Sequence, residues 1–311
     1  MKLDELNEAI GREVAKVVAG QTEVVEAIVI ALAARGHVLL EGVPGVAKTL
    51  IATATARAFG LDSARVQFTP DMLPSDLTGT MTLRGGELSF RPGPVFTNLL
   101  IADEINRTPP KTQAALLESM QEAQVSIEGV PEPLPDPFCV VATQNPVEYE
   151  GTYPLPEAQL DRFLLKIDVG YPDAETERRI LSFTHDGIRP ADLDAVAPVA
   201  GPDEIAAARA DLDATLVADE VAGYMVELIR RTRELPAVAL GASPRAAVHL
   251  LAASRARARL SGRDFVTPDD VASVAAPVLR HRLVLAPEAA LERYSPDDAV
   301  AAALSSTSVP R

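Results

Sequence analysis

The chain has 311 residues, a formal net charge of −15 and a pI near 4.8. Its length allows two domains, and its content of 47% hydrophobic and 23% charged residues is ordinary for a soluble globular protein. The acidic balance argues against nucleic acid as the main ligand, because proteins that bind nucleic acid carry basic patches. Aromatic residues make up 4% of the chain and tryptophan is absent, which disfavours a base-stacking platform.

The N-terminal region predicts two helices. Apolar residues recur at helical spacing over residues 3–18, and a second helix is expected over residues 23–35 with Thr22 as its cap. The loop between these helices contains Gly20 and Gln21. This loop can border the adenine of a nucleotide or be a plain helix–helix turn, and the pattern supports both equally.

The next stretch has the pattern of a phosphate-binding loop. A short β-prone run over residues 37–41 precedes it, and a helix over residues 50–59 follows it. In this context backbone N–H groups and the helix N-terminus bind phosphate, Lys48 reaches the β- and γ-phosphates, and the hydroxyl of Thr49 ligates Mg²⁺. Taken alone, the octapeptide could be a glycine-rich turn with a chance lysine. The predicted nucleotide-binding residues here are Gly42, Val43, Pro44, Gly45, Val46, Ala47, Lys48, Thr49 and Leu50.

Ala47 departs from the usual pattern, which has glycine at this position. With helical dihedral angles the extra methyl group costs little, because alanine is the better helix former. With a positive φ, alanine is strained.

Two later strands are predicted to end in polar residues. The apolar run over residues 98–104 ends in Asp103 and Glu104, and another strand over residues 138–142 leads to Asn145. In open α/β sheets the ligand lies beyond the carboxyl ends of the strands. Asp103 would hold Mg²⁺, Glu104 would activate the attacking water, and Asn145 would hold that water or the γ-phosphate. The simpler interpretation of the acidic pair is a turn that ends a strand.

The remaining core elements are a strand over residues 64–68, a helix over residues 109–124 and a last strand over residues 163–167. Two strand-like runs around Gly85 and Gly86 predict a hairpin. The segment over residues 125–137 predicts another inserted hairpin or a loop.

From about residue 190 the chain is alanine-rich and lacks strand signals. Helix starts with a hydroxyl cap followed by proline occur at Ser243, Thr267 and Ser295. We therefore predict an α/β core over residues 1–189 and a helical domain over residues 190–311. Arg245 lies in a first helical turn, where a bound anion or a nearby carboxylate would compensate its charge.

Other kinds of site are not predicted. Cys139 lies in an apolar run and is expected to be a buried structural thiol. The longest apolar stretch, residues 27–34, is too short to span a bilayer, so direct membrane insertion is not expected. The N-terminus lacks the charged region and apolar core of a signal peptide, so a cytoplasmic location is expected. The histidines show no metal-ligand spacing and are predicted to be structural: His37, His185, His249 and His281.

These motifs, in this order, resemble the MoxR family of AAA+ ATPases. The resemblance covers nearly the whole chain and depends on residues 42–49, 101–107, 142–146, 151–163 and 243–245. It implies an AAA+ P-loop fold with a five-stranded parallel sheet in the order 5-1-4-3-2, followed by an all-helical lid. It also implies that the hairpin around Gly85 and Gly86 is the helix-2 insertion that this branch of AAA+ ATPases shares with magnesium chelatase subunits and replicative helicases.

The resemblance further implies roles and partners. Asn145 is expected to be the first sensor residue, Arg162 the arginine finger and Arg245 the second sensor. Without the resemblance, an arginine in the place of Arg162, just before the last strand, is usually a salt-bridged structural residue. The family tolerates alanine at the position of Ala47. Members use ATP and Mg²⁺, form rings that are often hexamers, and act as chaperone-like remodellers with von Willebrand factor A domain partners in complex maturation or cofactor insertion.

Three other functions stay open on the sequence. One is a nucleic-acid motor or loader, which the acidic charge disfavours. Another is a nucleotide-dependent switch with negligible turnover, which the Asp103–Glu104 pair disfavours. The third, a magnesium-chelatase-like ATPase subunit, is a close relative of the leading hypothesis.

Overall fold

A computed structural model of the protein describes residues 1–84, 87–146, 151–185 and 193–310. The first half of the chain contains seven helices and nine strands within these ranges. In chain order they are α1 (Leu3–Val14), α2 (Thr22–Ala33), β1 (Val38–Gly42), α3 (Lys48–Ala58), β2 (Ser63–Gln67), α4 (Pro74–Thr78), β3 (Gly79–Arg84), β4 (Glu87–Pro92), β5 (Leu99–Asp103), α5 (Pro110–Glu122), β6 (Gln124–Ile127), β7 (Val130–Pro133), β8 (Cys139–Gln144), α6 (Glu157–Leu160), β9 (Leu165–Val169) and α7 (Ala174–His185).

The second half is mostly helical. It also contains a short 3-10 helix, Arg280–Arg282, between the helix Pro268–Leu279 and the strand Val284–Leu285. Its remaining elements are α8 (Pro202–Asp213), α9 (Asp219–Thr232), β10 (Val238–Leu240), α10 (Pro244–Leu260), α11 (Pro268–Leu279), β11 (Val284–Leu285), α12 (Pro287–Leu291) and α13 (Pro296–Ser306).

A five-stranded sheet forms the centre of the first half. All its strands are parallel, in the order β2-β5-β8-β1-β9. Numbered 1 to 5 along the chain, the core strands are β1, β2, β5, β8 and β9, so this order confirms the predicted order 5-1-4-3-2. Every residue of β5 is buried, as expected for a parallel strand covered on both faces. Because all strands run the same way, their carboxyl ends meet along one edge of the sheet.

Alternate residues of the three central strands, β5, β8 and β1, enter two different hydrophobic clusters. On β1, Leu40 packs with α1, α2, α3 and the C-terminal helices, while Leu39 packs on the opposite face with α5 and the hairpins. The first cluster continues into the second half of the chain as far as Ala303 of α13. The C-terminal helices therefore share a core with the sheet. The predicted domain boundary between residues 189 and 190 lies outside the described residues.

Both predicted insertions are hairpins. Strands β3 and β4 pair antiparallel from Gly79–Pro92 to Arg84–Glu87, and the turn at Gly85 and Gly86 lies outside the described residues. Strands β6 and β7 also pair antiparallel, so the segment predicted as a hairpin or a loop is a hairpin.

Several element boundaries differ from the prediction. Helix α2 starts at Thr22, and Gln21 precedes it with φ 59°, so Thr22 is the first helical residue rather than the cap. Strand β5 ends at Asp103, which leaves Glu104 one residue beyond it. Strand β9 starts at Leu165 instead of residue 163, because the preceding residues form a turn after α6.

The helix starts predicted in the second half are confirmed. Ser243, Thr267 and Ser295 precede α10, α11 and α13, and each hydroxyl accepts a hydrogen bond from the backbone N–H three residues later. The expectation of a second half without strands was wrong, since β10 and β11 pair antiparallel. Strands of three and two residues are too short to produce a readable alternation.

Cys139 and three of the histidines are structural, as expected. Burial raises the pKa of the Cys139 thiol to about 12, which keeps it protonated. His37 accepts a hydrogen bond from the N–H of Val140 at 3.0 Å, and its Nε2 lies 3.0 Å from the carbonyl oxygen of Met120. His249 and His281 contact Arg282 and the carbonyl of residue 163, respectively. The side chain of His185 lies outside the description.

None of the helices in the described ranges combines the length and the apolar character that crossing a membrane requires.

We predict that His37 makes the fold sensitive to acid. Burial lowers the pKa of His37 from 6.5 to about 4, so the unfolded chain takes up a proton that the fold excludes. The free energy of unfolding is therefore highest above pH 6.5 and decreases as the pH falls toward 4. The decrease due to His37 amounts to up to about 3 kcal/mol. Urea unfolding at neutral and mildly acidic pH should show a smaller acid loss in His37→Gln, since glutamine does not titrate. An equal loss in both proteins would contradict this prediction.

Candidate functional site

The loop between β1 and α3 is shaped by its backbone. A Cβ atom on Gly42 would collide with the carbonyl oxygen of Val169 on the neighbouring strand, so only glycine fits where the loop begins. Gly45 has φ +86°, and a Cβ atom there would meet no atom within 4 Å. Ala47 has φ 63° and ψ 21°, the left-handed conformation. Such turns direct successive N–H groups toward one point, where an anion can bind.

Lys48 is the first residue of α3. Its ammonium group donates hydrogen bonds to the carbonyl oxygens of Gly42, of Val43 at 3.1 Å and of Gln144 at 3.5 Å. These oxygens come from the phosphate loop and from the end of β8. The charge of Lys48 is therefore held between the loop and the sheet edge, where a phosphate group would need it.

Asp103 is the buried acid of the site, with 3% of its side chain exposed. Its carboxylate accepts hydrogen bonds from Thr49 at 2.8 and 3.0 Å and from Thr143 at 3.1 Å. Arg65 also donates to it at 2.7 Å. The hydroxyl of Thr49 and the carboxylate of Asp103 are oxygen ligands of the kind that Mg²⁺ prefers, and they lie side by side. This donor set fits the predicted metal.

Glu104 follows β5 in the left-handed conformation, with φ 55° and ψ 50°. Its backbone N–H donates to the hydroxyl of Thr143 at 3.0 Å. Its carboxylate accepts hydrogen bonds from Gln67 at 2.6 Å and pairs with Arg107 at 2.9 Å. The unusual backbone turns this side chain away from the line of the strand and into the space above the sheet edge.

These side chains surround one cavity of about 450 Å³. It contains the predicted residues Lys48, Thr49, Asp103, Glu104 and Asn145, the last of which is buried. The structure thus brings together residues of the site that the sequence predicted on three separate segments. The full lining is Pro44, Gly45, Val46, Ala47, Lys48, Thr49, Leu50, Arg65, Gln67, Asp103, Glu104, Thr143, Gln144 and Asn145.

A second cavity, of about 230 Å³, lies on the other side of the phosphate loop. It shares Gly45, Val46, Ala47 and Leu50 with the first cavity, and its remaining lining is mainly apolar. Gln21 lines it, whereas Gly20 lines a separate cavity of about 520 Å³ against α1 and α2. The lining beyond the phosphate loop is Val17, Val18, Ala19, Gln21, Pro172, Ile180 and Phe183.

The two predicted arginines lie outside the first cavity. Arg162 follows α6 next to the edge strand β9, and Arg245 is exposed in the first turn of α10. Within the described part of the chain, neither makes an ion pair. Arg245 is therefore not compensated by a carboxylate there, and neither side chain lines the phosphate cavity of this copy of the chain.

Sequence reasoning missed four polar residues of the site: Arg65, Gln67, Arg107 and Thr143. The first two occupy alternate positions on β2, a strand whose burial alternates along its length. Their period of two and their place on the strand next to β5 could have indicated that they face the acids. Thr143 directly precedes Gln144 at a strand end, which is the same signal that identified Asn145.

Comparison with known proteins agrees with this geometry. Residues 37–165 match the ATPase family associated with various cellular activities (AAA), and residues 230–303 match the AAA lid domain. The chain is 45% identical to Chaperone MoxR1 of Mycobacterium tuberculosis, over 96% of this chain and 81% of the relative. It is 43% identical to the uncharacterized protein YeaC of Bacillus subtilis, over 99% of this chain and 97% of the relative.

The chain belongs to the MoxR family of AAA+ ATPases. The crystal structure of a candidate ATPase from Cytophaga hutchinsonii is similar to this structure, with a TM-score of 0.91 and 39% sequence identity. The match covers 99% of this chain and 96% of the Cytophaga chain. The resemblance inferred from the motifs is thus confirmed at the level of family and fold. In this MoxR-family ATPase, Ala47 stands in the phosphate loop where glycine is usual, and its backbone is strained because its φ is 63°.

We predict that Ala47→Gly stabilises the protein. Alanine in the left-handed region is strained by about 1–2 kcal/mol, whereas glycine adopts this conformation freely but loses more entropy on folding. The net gain in the free energy of unfolding should be about 1 kcal/mol. Denaturant unfolding without nucleotide measures it.

Gly45→Ala is the matched control. Its added methyl group would meet no neighbouring atom, so only the strain of alanine at φ +86° should act. Gly45→Ala should therefore lower the free energy of unfolding, whereas Ala47→Gly should raise it. A destabilising Ala47→Gly would show that the left-handed conformation at residue 47 is not present in solution.

Proposed function

We propose that this protein hydrolyses ATP with Mg²⁺ and uses the cycle to remodel partner proteins. The observation that carries the proposal is the convergence of Lys48, the Thr49–Asp103 pair and Glu104 on one cavity. A lysine, an oxygen donor pair and a carboxylate are the parts that phosphoryl transfer needs.

The phosphate loop and its lysine would bind the nucleotide. Backbone N–H groups of residues 44–48 and the N-terminus of α3 offer partial positive charge to the phosphates. Lys48 would exchange its carbonyl partners for phosphate oxygens, which are stronger acceptors because they are charged. Thr49 and Asp103 would hold the metal ion, which supplies charge neutralisation at the phosphates.

Glu104 and Asn145 would act on the attacking water. Glu104 is one-third exposed in the cavity, so its carboxylate can reach a water molecule and accept its proton. Gln67 and Arg107 hold that carboxylate at one oxygen atom, which orients it. Asn145 at the end of β8 would hold the water or the γ-phosphate with its amide.

The smaller cavity would accommodate the base. Its apolar lining, which includes Val17, Ile180 and Phe183, matches the flat apolar faces of adenine. The amide of Gln21 donates to the carbonyl oxygen of Gly170 at 3.4 Å, which ties the loop after α1 to the end of β9. The place of Val17 and Gln21 in the lining of this cavity supports the adenine interpretation of that loop over a plain helix–helix turn.

We further propose a homo-oligomeric ring, hexameric as in the family, working in the cytoplasm. Arg162 lies outside the phosphate cavity of its own chain and beside the sheet edge formed by β9, so it is available to a neighbouring subunit. The charge of −15 would keep the free protein soluble.

The partner proposed is a protein with a von Willebrand factor A domain, and the task is complex maturation or cofactor insertion. The resemblance and the name of the relative Chaperone MoxR1 support a protein partner. Both hairpins expose aliphatic side chains, as surfaces for other proteins do: Leu83 and Leu88 on the first and Val130 on the second.

Two variants test the ATPase proposal. Lys48→Ala should abolish nucleotide binding, because it removes the only basic side chain of the phosphate loop. Glu104→Gln should bind ATP but hydrolyse it at least about a hundredfold more slowly, because an amide is no base. Phosphate release and binding of a fluorescent nucleotide measure the two effects. Lys111→Ala, on the exposed start of α5, is the control. Normal turnover in Lys48→Ala would refute the proposal.

The trans role of Arg162 predicts complementation. Arg162→Ala should lose about 10³–10⁵ in rate, because a guanidinium no longer meets the charge on the transferred phosphoryl group. Mixed with inactive Lys48→Ala subunits, it should regain part of the hydrolysis, since some interfaces then combine an intact Arg162 with an intact site. If verified mixed rings stay inactive, Arg162 does not act across the interface.

A further inference from the structure

The chain around Arg162 is bound to the C-terminal half of the molecule chiefly by one arginine, and His281 adds a contact with the carbonyl oxygen of Phe163 at 3.1 Å. Arg282 lies in the 3-10 helix Arg280–Arg282 and donates to the carboxylate of Asp161 at 2.7 Å. It also donates to the carbonyl oxygens of Asp161 at 3.2 Å, Phe163 at 2.5 Å and Leu164 at 3.4 Å. The acceptors lie on both sides of Arg162 in the sequence, so this guanidinium holds the backbone from which Arg162 projects.

Asp161 connects this segment to a second element. Its other carboxylate oxygen accepts a hydrogen bond from the hydroxyl of Ser243 at 3.0 Å. Ser243 is the N-cap of α10, the helix whose first turn carries Arg245. One carboxylate therefore joins the backbone beside Arg162, the start of α10 and the buried arginine.

Arg162 itself has no competing polar contact among the described residues. It makes no ion pair there, and its Nε atom is buried without a hydrogen-bond partner. Its neighbour Asp161, the nearest acid in the sequence, is already occupied by Arg282 and Ser243. The direction of Arg162 therefore depends on the backbone that Arg282 holds.

The contact is buried and geometrically demanding. Only 1% of the Arg282 side chain is exposed, and it also contacts the carbonyl oxygen of Val278 and the ring of His249. A planar guanidinium with five donors can serve several acceptors at once, whereas a lysine ammonium on a flexible chain cannot reproduce that pattern. The arrangement therefore requires arginine at this position.

We propose that Arg282 is a positioning residue, which fixes the Arg162 segment to the C-terminal helices so that movement of these helices changes how Arg162 meets the neighbouring subunit's nucleotide. The inference rests on the proposed trans role of Arg162. It deepens that role, because it connects the C-terminal half of one subunit to hydrolysis in the next.

Arg280 provides a matched control two residues away. It also bridges the two halves of the chain, pairing with Asp168 on β9 at 2.7 Å and with Asp297 at 2.9 Å. Within the described residues, its hydrogen bonds and ion pairs do not include the segment over residues 161–164. A variant at Arg280 thus changes a second, more exposed ion pair between the halves and keeps the contact beside Arg162.

The test compares Arg282→Lys with Arg280→Lys. Arg282→Lys should lower ATP hydrolysis by about tenfold to a hundredfold, the effect of a small misplacement of a reacting group. Its affinity for a fluorescent nucleotide should stay within about twofold of the wild type, because its own phosphate cavity is intact. Arg280→Lys should keep nearly full hydrolysis.

Mixing separates positioning from a merely structural role. Arg282→Lys subunits co-assembled with Lys48→Ala subunits should regain hydrolysis, because the Lys48→Ala subunits present a correctly placed Arg162 to the intact sites of their neighbours. If Arg282→Lys does not fold, as judged by circular dichroism and melting temperature, Asp161→Asn replaces it in the same assays. Failure of both variants to fold would assign the contact to structure and overturn the inference.

The remaining outcomes are also decisive. Hydrolysis near the wild-type rate in folded Arg282→Lys would overturn the inference. The inference would also be overturned if mixing with Lys48→Ala subunits restored hydrolysis to Arg162→Ala but not to Arg282→Lys. In that case the trans role of Arg162 stands and only the positioning role of Arg282 fails. If the Arg162→Ala mixture itself stays inactive in verified mixed rings, the trans role fails and the inference fails with it.

Discussion

The parallel pairing of β5 with β8 and of β8 with β1 is the constraint on which the site depends. The register places Ala102 beside Ala142 and Leu40 beside Thr143, so the strands end together at one edge. Asp103 follows directly and can share its carboxylate between Thr143 on the neighbouring strand and Thr49 on α3. An acid this deeply buried requires such donors, because an unsatisfied buried charge is strongly destabilising. The same hydrogen bonds that make its burial possible hold the predicted metal-binding oxygens together.

Two residues of the site have backbone conformations that side-chain-bearing residues rarely adopt. Ala47 and Glu104 are both left-handed, and both line the phosphate cavity. At Ala47 the conformation turns N–H groups toward the cavity, and at Glu104 it moves the carboxylate off the strand direction. Strain of this kind persists where the surrounding structure enforces it, here through the sheet edge and the start of α3.

The two halves of the chain are held together mainly by apolar packing. One hydrophobic cluster includes residues from α1 to α13, so the C-terminal helices depend on the sheet and its helices for part of their core. Several ion pairs also cross between the halves, among them Arg35–Asp213 and Arg57–Asp194, but these are exposed and stabilise little. The contact between Arg282 and Asp161 differs because it is almost completely shielded from water.

The amino-acid sequence by itself determined the five strands of the sheet, the phosphate loop and the acids Asp103 and Glu104, because these depend on local patterns of apolar runs, glycines and strand-end polar residues. The order of the strands came from the family resemblance, and the short strands β10 and β11 were missed. It did not determine the sign of φ at Ala47, since the choice depends on how β1, β9 and α3 meet. Tertiary structure alone brought Arg65 and Gln67 to the acids and Arg282 to Asp161, 121 residues away. Contacts of that kind have no local signature, because they arise only when distant segments pack against one another and must satisfy each other's buried charge.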